Sequence, residues 1–325
     1  MAKRAQPKYV VLGAGGQLGQ AFLHALGARA VGLERAQLEL GDAAALERTL
    51  DALEPEVVIN TAAFNHVDLA ETQRQRALAA NFLGPAQLAG LAQARGWRLL
   101  HFSTDYVFGG DGGGDGLARP RVESDAPAPV NFYGYSKLLG EEAVLRDDPT
   151  ALVARVAHLY GGQSLSPGRA NLVQRFLEQA RAGQPLWVTR GQTLNPTSVR
   201  DLAPAALALL ESGARGLFHL TGEGECGAEE FAREVLRLAR LEAEVRVVER
   251  DIRPAPRALY TVLENRRLAD EGFAPLPHWR DSLAACVAAL CPRSAAPAWG
   301  LGPPSRREHK RDARRSRAGA RANHS

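Results

Sequence analysis

The sequence predicts an α/β protein built as a doubly wound parallel sheet with a smaller C-terminal domain. Three observations carry this reading. Short apolar runs alternate with longer amphipathic segments through most of the chain, the order expected of parallel strands joined by crossover helices. The first apolar run leads at once into a glycine-rich turn and a helical segment. The length of 325 residues, 45% apolar and 23% charged, suffices for one large α/β unit and a smaller one.

In chain order, Lys8 to Leu12 reads as a short buried strand. Gly13-Ala14-Gly15-Gly16-Gln17-Leu18-Gly19 follows it, then a helix to about Ala28. In such a unit a dinucleotide pyrophosphate sits on the helix N-terminus, and glycines let the backbone approach it. The spacing Gly13-x-x-Gly16-x-x-Gly19 departs from the commoner G-x-G-x-x-G, so its weight comes from its place at the first βα turn. Ala30 to Leu33 is a second strand, ending at Glu34-Arg35. An acid there accepts from an adenosine ribose and favours NAD, whereas an arginine holds a 2′-phosphate. With both present, NADH and NADPH stay open. Glu39-Leu40-Gly41-Asp42 opens a helix from about Ala43 to Leu53. Glu56 to Asn60 is the next strand, with Thr61-Ala62-Ala63-Phe64 as a small-residue exit that leaves room for a ligand.

Leu78 to Ala94 reads as helix, with Asn81 inside it, and Arg98 to Phe102 as a strand ending in Ser103-Thr104. A hydroxyl there can meet a substrate carbonyl. Further on, Tyr133 and Lys137 stand four residues apart in a stretch that favours helix, which puts both on one face. An ammonium beside a phenol lowers a pKa that is otherwise near ~10, which suits a general acid. Tyr-x-x-x-Lys recurs by chance on many helices, so its value depends on the strand end upstream. Between these segments, Gly109 to Gly116 holds six glycines in eight residues and reads as a mobile loop near the site.

The second half continues the alternation. Thr150 to Val156 is a strand leading to His158-Leu159-Tyr160-Gly161, Asn171 to Ala182 a helix, and Leu186-Trp187-Val188 a short strand. Asp201 to Leu210 is a helix, Gly216 to Leu220 a strand, Ala228 to Arg240 a helix, and Val245 to Val248 a last strand. Composition then turns to Pro, Gly and Arg, and the fold is expected to end near Pro292. The expected organisation is a dinucleotide-binding domain over 1–160, with 185–212 returning to it. Residues 161–292 form the second domain, and 293–325 a basic, disordered tail.

Composition excludes several classes. Cys226, Cys286 and Cys291 are three in number with no Cys-x-x-Cys, which argues against a disulfide framework or zinc site, and the eight histidines form no His-x-x-x-His pair. No metal is expected. No run of about 18 apolar residues exists to span a membrane, and the four apolar residues after the basic N-terminus are too few for a signal peptide, so a cytoplasmic protein is expected. From Ser305 onward the tail carries eight basic and two acidic residues, a net of +6, against +4 for the whole chain; the rest is therefore at −2. The basic balance belongs to the tail, which argues against a nucleic-acid surface on the fold itself.

Taken together these residues resemble the extended short-chain dehydrogenase/reductase family, and within it the dTDP-4-dehydrorhamnose reductases. The resemblance runs from about residue 8 to 291. It is carried by the glycine turn 13–19, by Val58-Ile59-Asn60-Thr61-Ala62-Ala63-Phe64-Asn65-His66-Val67-Asp68-Leu69-Ala70-Glu71, and by Asn81 with Leu88-Ala89. Its most specific part is Ser103-Thr104-Asp105-Tyr106-Val107-Phe108. Pro129 through Tyr133-Gly134, Ser136-Lys137-Leu138 with Gly140-Glu141, Pro196-Thr197, Asp201-Leu202-Ala203 and Gly216-Leu217-Phe218-His219-Leu220 extend it.

The resemblance implies a Rossmann-like sheet, a substrate-binding C-terminal domain, and reduction of the C4 keto group of a nucleotide sugar by NADPH or NADH. It implies a triad in which Tyr133 protonates the C4 oxygen, Lys137 lowers the Tyr133 pKa and holds the nicotinamide ribose, and Thr104 orients the carbonyl. Asp105 and Tyr106 would lie against the sugar. Gly16, Gln17 and Leu18 would contact the pyrophosphate, Glu39 and Leu40 the adenine, and Ala62, Ala63 and Phe64 the length of the dinucleotide. A monomer or homodimer is implied.

Three departures fall in the substrate half. The family's Thr-Ser-Trp-Val-Tyr after the strand arginine is here Val156-Ala157-His158-Leu159-Tyr160 following Arg155, so His158 stands where a tryptophan would lie near the sugar. Leu194 replaces a glycine two residues before Pro196. Arg-Pro-x-Asn-Ser-x-Leu becomes Arg257-Ala258-Leu259-Tyr260-Thr261-Val262-Leu263, keeping an arginine able to meet a phosphate. Two alternatives therefore stay open: a reductase or epimerase of another nucleotide sugar, and a non-catalytic NADP-binding regulator similar to the methionine adenosyltransferase β subunit.

Overall fold

Tyr9-Val10-Val11-Leu12 is apolar at every position because both faces of its strand are covered, as parallel sheets between helix layers require. The computed structural model describes residues 8–110, 119–162, 171–249 and 253–291. The glycine run beyond Gly110 and the basic tail lie outside the described residues. The first half runs β1 (Tyr9–Leu12), α1 (Gln17–Leu26), β2 (Ala30–Leu33), α2 (Ala43–Leu53), β3 (Val57–Asn60), α3 (Val67–Thr72), α4 (Arg74–Leu78), α5 (Gly84–Arg95), β4 (Arg98–Thr104) and α6 (Phe132–Asp147). The second continues with β5 (Leu152–Val156), β6 (Leu159–Tyr160), α7 (Leu172–Arg181), β7 (Leu186–Thr189), β8 (Thr193–Leu194), β9 (Thr197–Ser198) and α8 (Val199–Ser212). β10 (Gly216–His219), β11 (Cys226–Gly227), α9 (Ala228–Ala239), β12 (Val245–Val248), α10 (Arg266–Asp270) and α11 (Trp279–Leu290) complete it.

Six strands form one parallel sheet in the order β10-β5-β4-β3-β1-β2. The order reverses at β1, whose neighbours β2 and β3 flank it. In a doubly wound sheet the crevice at the carboxyl ends of such strands is where ligands bind. One apolar layer, with Phe22, Leu26, Leu202 and Leu210 from α1 and α8, covers one face. A second, with Leu46, Leu50, Leu88 and Val144 from α2, α5 and α6, covers the other. Burying one such side chain stabilises the fold by about 1.5–3 kcal/mol. A separate cluster joins α7, α9 and α11 around Phe176, Phe231 and Trp279.

The helices start where side chains can cap them. Asp42 accepts from the Ala45 N–H at 2.9 Å to open α2, and Asn131 accepts from the Gly134 N–H at 2.8 Å to open α6. Asn171 and Gln174 form a capping box on α7.

Two element expectations change. The helix read from Leu78 begins at Arg74, is preceded by α3, and is interrupted by a π-helical turn, Ala79–Leu83. Packing against α6 decides this: a Cβ at Gly140 of α6 would overlap the Asn81 carbonyl oxygen, so the two backbones meet directly. Residues 185–212 divide between two sets of partners. β7 pairs with β12 and packs in the α7/α9/α11 cluster, whereas α8 packs on α1 and β10 joins the main sheet beside β5. Finally, α10 and α11 add helices that the alanine-rich C-terminal sequence, with little polar contrast, does not announce. Among the described residues no helix is long and apolar enough to cross a membrane.

Candidate active site and dinucleotide groove

At the carboxyl edge of β1 and β3 lies a groove of about 640 Å³, lined by the glycine turn, the β2 exit and the β3 exit. Gly13 has φ of +79°, and a Cβ there would stand 2.7 Å from the Ala62 N, so no other residue suits the turn. Gly19, one helical turn on, lies where a Cβ would overlap the Gly13 carbonyl oxygen; α1 can press against the turn only without it. Gly16 caps α1 without a side chain, so the first-turn N–H groups have no side-chain cap and can meet an anion.

The groove fits a dinucleotide by backbone shape and by donors. Of the residues expected to hold it, Gly13, Gly16, Glu34, Arg35, Glu39, Leu40, Ala62 and Ala63 line it together. The Glu34 carboxylate comes within 3.4 Å of where a Cβ on Gly15 would stand, placing an acid beside the turn. Arg35 Nε donates to Glu39 Oε2 at 2.7 Å on the exposed rim. Gln17, Leu18, Gly19 and Phe64 do not line the groove. Leu18 and Phe64 are buried beneath it, Gly19 packs under Gly13, and Gln17 backs onto Gly162.

Phe64 leads from the groove to the catalytic side chains. Its N–H donates to Asn81 Oδ1 at 2.7 Å, and Asn81 Nδ2 donates to the Phe64 carbonyl at 3.1 Å and to Ser136 Oγ at 2.9 Å. This buried amide fastens the β3 exit to the helix that bears Tyr133 and Lys137. Tyr133 in turn packs against the small cluster of Phe64, Ala77 and Ala80, and Ala80 lines the groove.

Thr104 ends β4 and lies beside Tyr133. Thr104 Oγ1 donates to Asp105 Oδ1 at 3.0 Å, and Thr261 Oγ1 donates to Asp105 Oδ2 at 2.7 Å. Tyr106 meets Tyr133 edge to face with ring centroids 5.4 Å apart. The three triad positions are therefore brought together. The expectation for the phenol is corrected, however. Burial pushes Tyr133 well above its ordinary value, the Thr104 hydroxyl lowers it only in part, and the Asp105 charge raises it further. Lys137 does not reach it: its Nζ donates to the Phe102 carbonyl at 2.6 Å. Burial pushes that ammonium down to about 8, with Glu141 opposing. The phenol thus stands protonated, the state a proton donor needs.

The proposed substrate residues sit on the far side of Tyr106. His158 has φ of +42° and lines, with Tyr106, Phe108, Val130 and Thr261 among others, a cavity of about 10 Å³, room for one water but no sugar ring. Its Nδ1 is buried, makes no hydrogen bond, and lies 3.8 Å from Asp105 Oδ2. Arg257 is nearly buried, and its Nη1 and Nη2 donate to the two Asp68 oxygens at 2.9 and 3.0 Å. It also hydrogen-bonds Tyr106. Tyr260 turns away to donate to Glu225 at 2.8 Å, and Leu194 is core.

A polar layer beneath the site has no assigned role in the sequence reading. On the sheet face under α6, Asn60 Nδ2 and His101 Nδ1 are 3.0 Å apart, and Asn60 Oδ1 accepts from the Ala62 N–H at 3.1 Å. Arg155 Nε donates to Glu141 Oε2 at 2.9 Å and its Nη2 to Oε1 at 2.5 Å, both side chains buried, while its Nη1 lies 3.4 Å from His219 Nε2. Glu141 sits four residues after Lys137, a spacing that was available as a clue.

The comparisons with known proteins bear on the same residues. A family model described as "RmlD substrate binding domain" matches residues 8–291. A dTDP-4-dehydrorhamnose reductase of Mycobacterium tuberculosis is 41% identical over 298 residues, 89% of this chain and 95% of that protein. A dTDP-4-keto-6-deoxy-D-glucose reductase of Streptomyces niveus is 33% identical, covering 85% and 95%. The crystal structure of a Bacillus anthracis dTDP-4-dehydrorhamnose reductase in complex with NADP superposes with a TM-score of 0.82 at 26% identity, over 88% of this chain and 100% of that one.

Proposed function

Since the chain belongs to the RmlD substrate binding domain family, we propose that it reduces the C4 keto group of a dTDP-linked deoxysugar, taking dTDP-4-dehydrorhamnose to dTDP-L-rhamnose. It is an NAD(P)-dependent oxidoreductase of the dTDP-4-dehydrorhamnose reductase type, using NADPH or NADH. One observation carries the reading onto this chain's residues: a buried, protonated Tyr133, beside Thr104, adjoins a glycine-lined groove that fits a dinucleotide.

When bound, the reduced dinucleotide supplies the hydride. The protein's part is binding, orientation and the proton. Tyr133 holds the proton at its phenol oxygen for the sugar oxygen, and Thr104 orients the carbonyl beside it. Lys137 is the group for the nicotinamide ribose. Tyr106 and His158 are the side chains for the sugar, and Asp105, fixed by Thr104 and Thr261, backs them. Arg257, parked on Asp68, is the cation for the phosphates of the nucleotide. Residues up to about 160, with α8 and β10, serve the dinucleotide, and the remainder to 292 mainly the nucleotide sugar. The protein works in the cytoplasm, alone or as a homodimer.

The test is oxidation of NADH and of NADPH, followed by loss of the reduced-nicotinamide absorbance, with freshly made dTDP-4-dehydrorhamnose. Turnover that vanishes in Tyr133→Phe supports the reading and ranks the two cofactors. Binding of NAD(P)H without turnover of this or the related dTDP-4-keto-6-deoxyglucose would overturn it in favour of a regulator.

A further inference from the structure

We infer that Glu141 is a positioning residue for Lys137: its carboxylate, clamped in the core by Arg155, is the countercharge that keeps the Lys137 ammonium protonated in a dry site. The inference rests on the assignment of Lys137 to the reductase centre and adds a residue that does not touch substrate.

The geometry comes first. Lys137 and Glu141 are one helical turn apart on the face of α6 that meets the sheet, and both are buried. A bare carboxylate there would be costly, and the bidentate Arg155 fork makes it tolerable. His219 fixes the fork from the next strand: its Nδ1 lies 3.1 Å from the Glu264 carbonyl, which leaves Nε2 to accept from Arg155 Nη1. The Glu264 N–H donates in turn to the Arg121 carbonyl at 2.8 Å, so the clamp is tied to the segment around Arg121.

Other charges do not replace Glu141. From β4, His101 faces Lys137 but is held neutral, since burial and the Lys137 charge both drive its proton off. Lys137 Nζ spends one donor on the Phe102 carbonyl, a neutral partner. On α6 itself Tyr133 is protonated and uncharged, and from β5 Arg155 is a cation that could only repel. Asp105, at the β4 exit, is engaged by two threonine hydroxyls. Burial pushes Lys137 down to about 8 and the Glu141 charge offsets part of that loss.

The chain has four lysines, Lys3, Lys8, Lys137 and Lys310, so isotope-labelled lysine in the full chain gives an NMR titration with few signals. Lys137→Arg identifies the one that matters. Glu141→Gln leaves a buried arginine unpaired and is the harsher variant. Glu141→Met with Arg155→Met replaces the pair by apolar side chains of similar bulk, a change buried pairs often tolerate. The expected result in Glu141→Gln, which keeps the Arg155 charge, is a Lys137 titration about one pH unit or more below the wild-type midpoint; the double variant, which removes the repelling Arg155 as well, should show a smaller shift in the same direction. The alkaline limb of kcat/KM should move by the same amount while KM for NAD(P)H changes little at low pH. An unchanged titration in a folded variant overturns the inference. A shifted titration in a protein that never turns over the keto sugar overturns the reductase assignment instead, because the NMR readout needs no substrate.

Discussion

The groove proposed for the dinucleotide and the pocket proposed for catalysis are built by opposite means. The groove takes nearly all its lining from residues 12–65, one stretch of βαβ chain, and presents backbone: glycines at 13, 15 and 16, and N–H groups without a side-chain cap. The pocket draws on Thr104, Asp105, Arg257 and Thr261, and holds them by side-chain hydrogen bonds that cross up to 189 residues of sequence. Shape made by a local backbone tolerates change in most side chains around it. A pocket assembled from distant side chains tolerates little, because each polar group is buried and depends on its partner.

The sharpest test of that contrast is Tyr133→Phe. It removes one hydroxyl, and kcat should fall by about 10²–10⁴-fold with NAD(P)H affinity unchanged, since the groove does not use that oxygen. Loss of binding along with turnover would break the separation between the two regions.

Next in size is the acid response of the polar layer under the pocket. Burial, then the Arg155 charge, push His219 from near 6.5 down to about 3. The unfolded chain takes up this proton below about 6.5, whereas the folded chain excludes it until about 3. Stability should therefore fall as pH drops through that window, by about 1.4 kcal/mol per unit. Urea melts at a series of pH values check this, and His219→Gln should flatten the slope. Equal slopes in both proteins would show that His219 takes no part.

On the groove side, Gly19→Ala adds a methyl that must overlap the Gly13 carbonyl. NADPH and NADH should both bind tenfold or more weakly, about 1.4 kcal/mol, as read by nicotinamide fluorescence, while the Lys137 titration stays put. Tight binding in this variant would mean that the cradle can shift. The smallest effect belongs to Arg35→Ala. The Arg35–Glu39 pair is exposed on both sides, so stability should change by less than about 0.5 kcal/mol. The NADPH-to-NADH ratio of kcat/KM should nevertheless drop, because Arg35 is the one cation among the described residues that line the groove.

What could be read from the chain divides along the same line. Strand–turn–helix alternation determined the sheet, and the bounds of α2 and the strand at Ala30–Leu33 follow from apolar runs and the Asp42 cap. The glycine turn and the Tyr133/Lys137 spacing pointed to the two halves of the chemistry, because both are local: a turn and one helical repeat are set by neighbours in sequence. Tertiary structure alone decided the rest. That α8 and β10 return to the sheet while β7 does not depends on which apolar faces remain to be covered. The π-helical turn at Asn81 exists because Gly140 lets α6 press on it. The direction of the Tyr133 shift reversed for the same kind of reason: spacing places an ammonium one turn from a phenol, but only the packed core decides that Lys137 bonds to the Phe102 carbonyl and that burial outweighs charge.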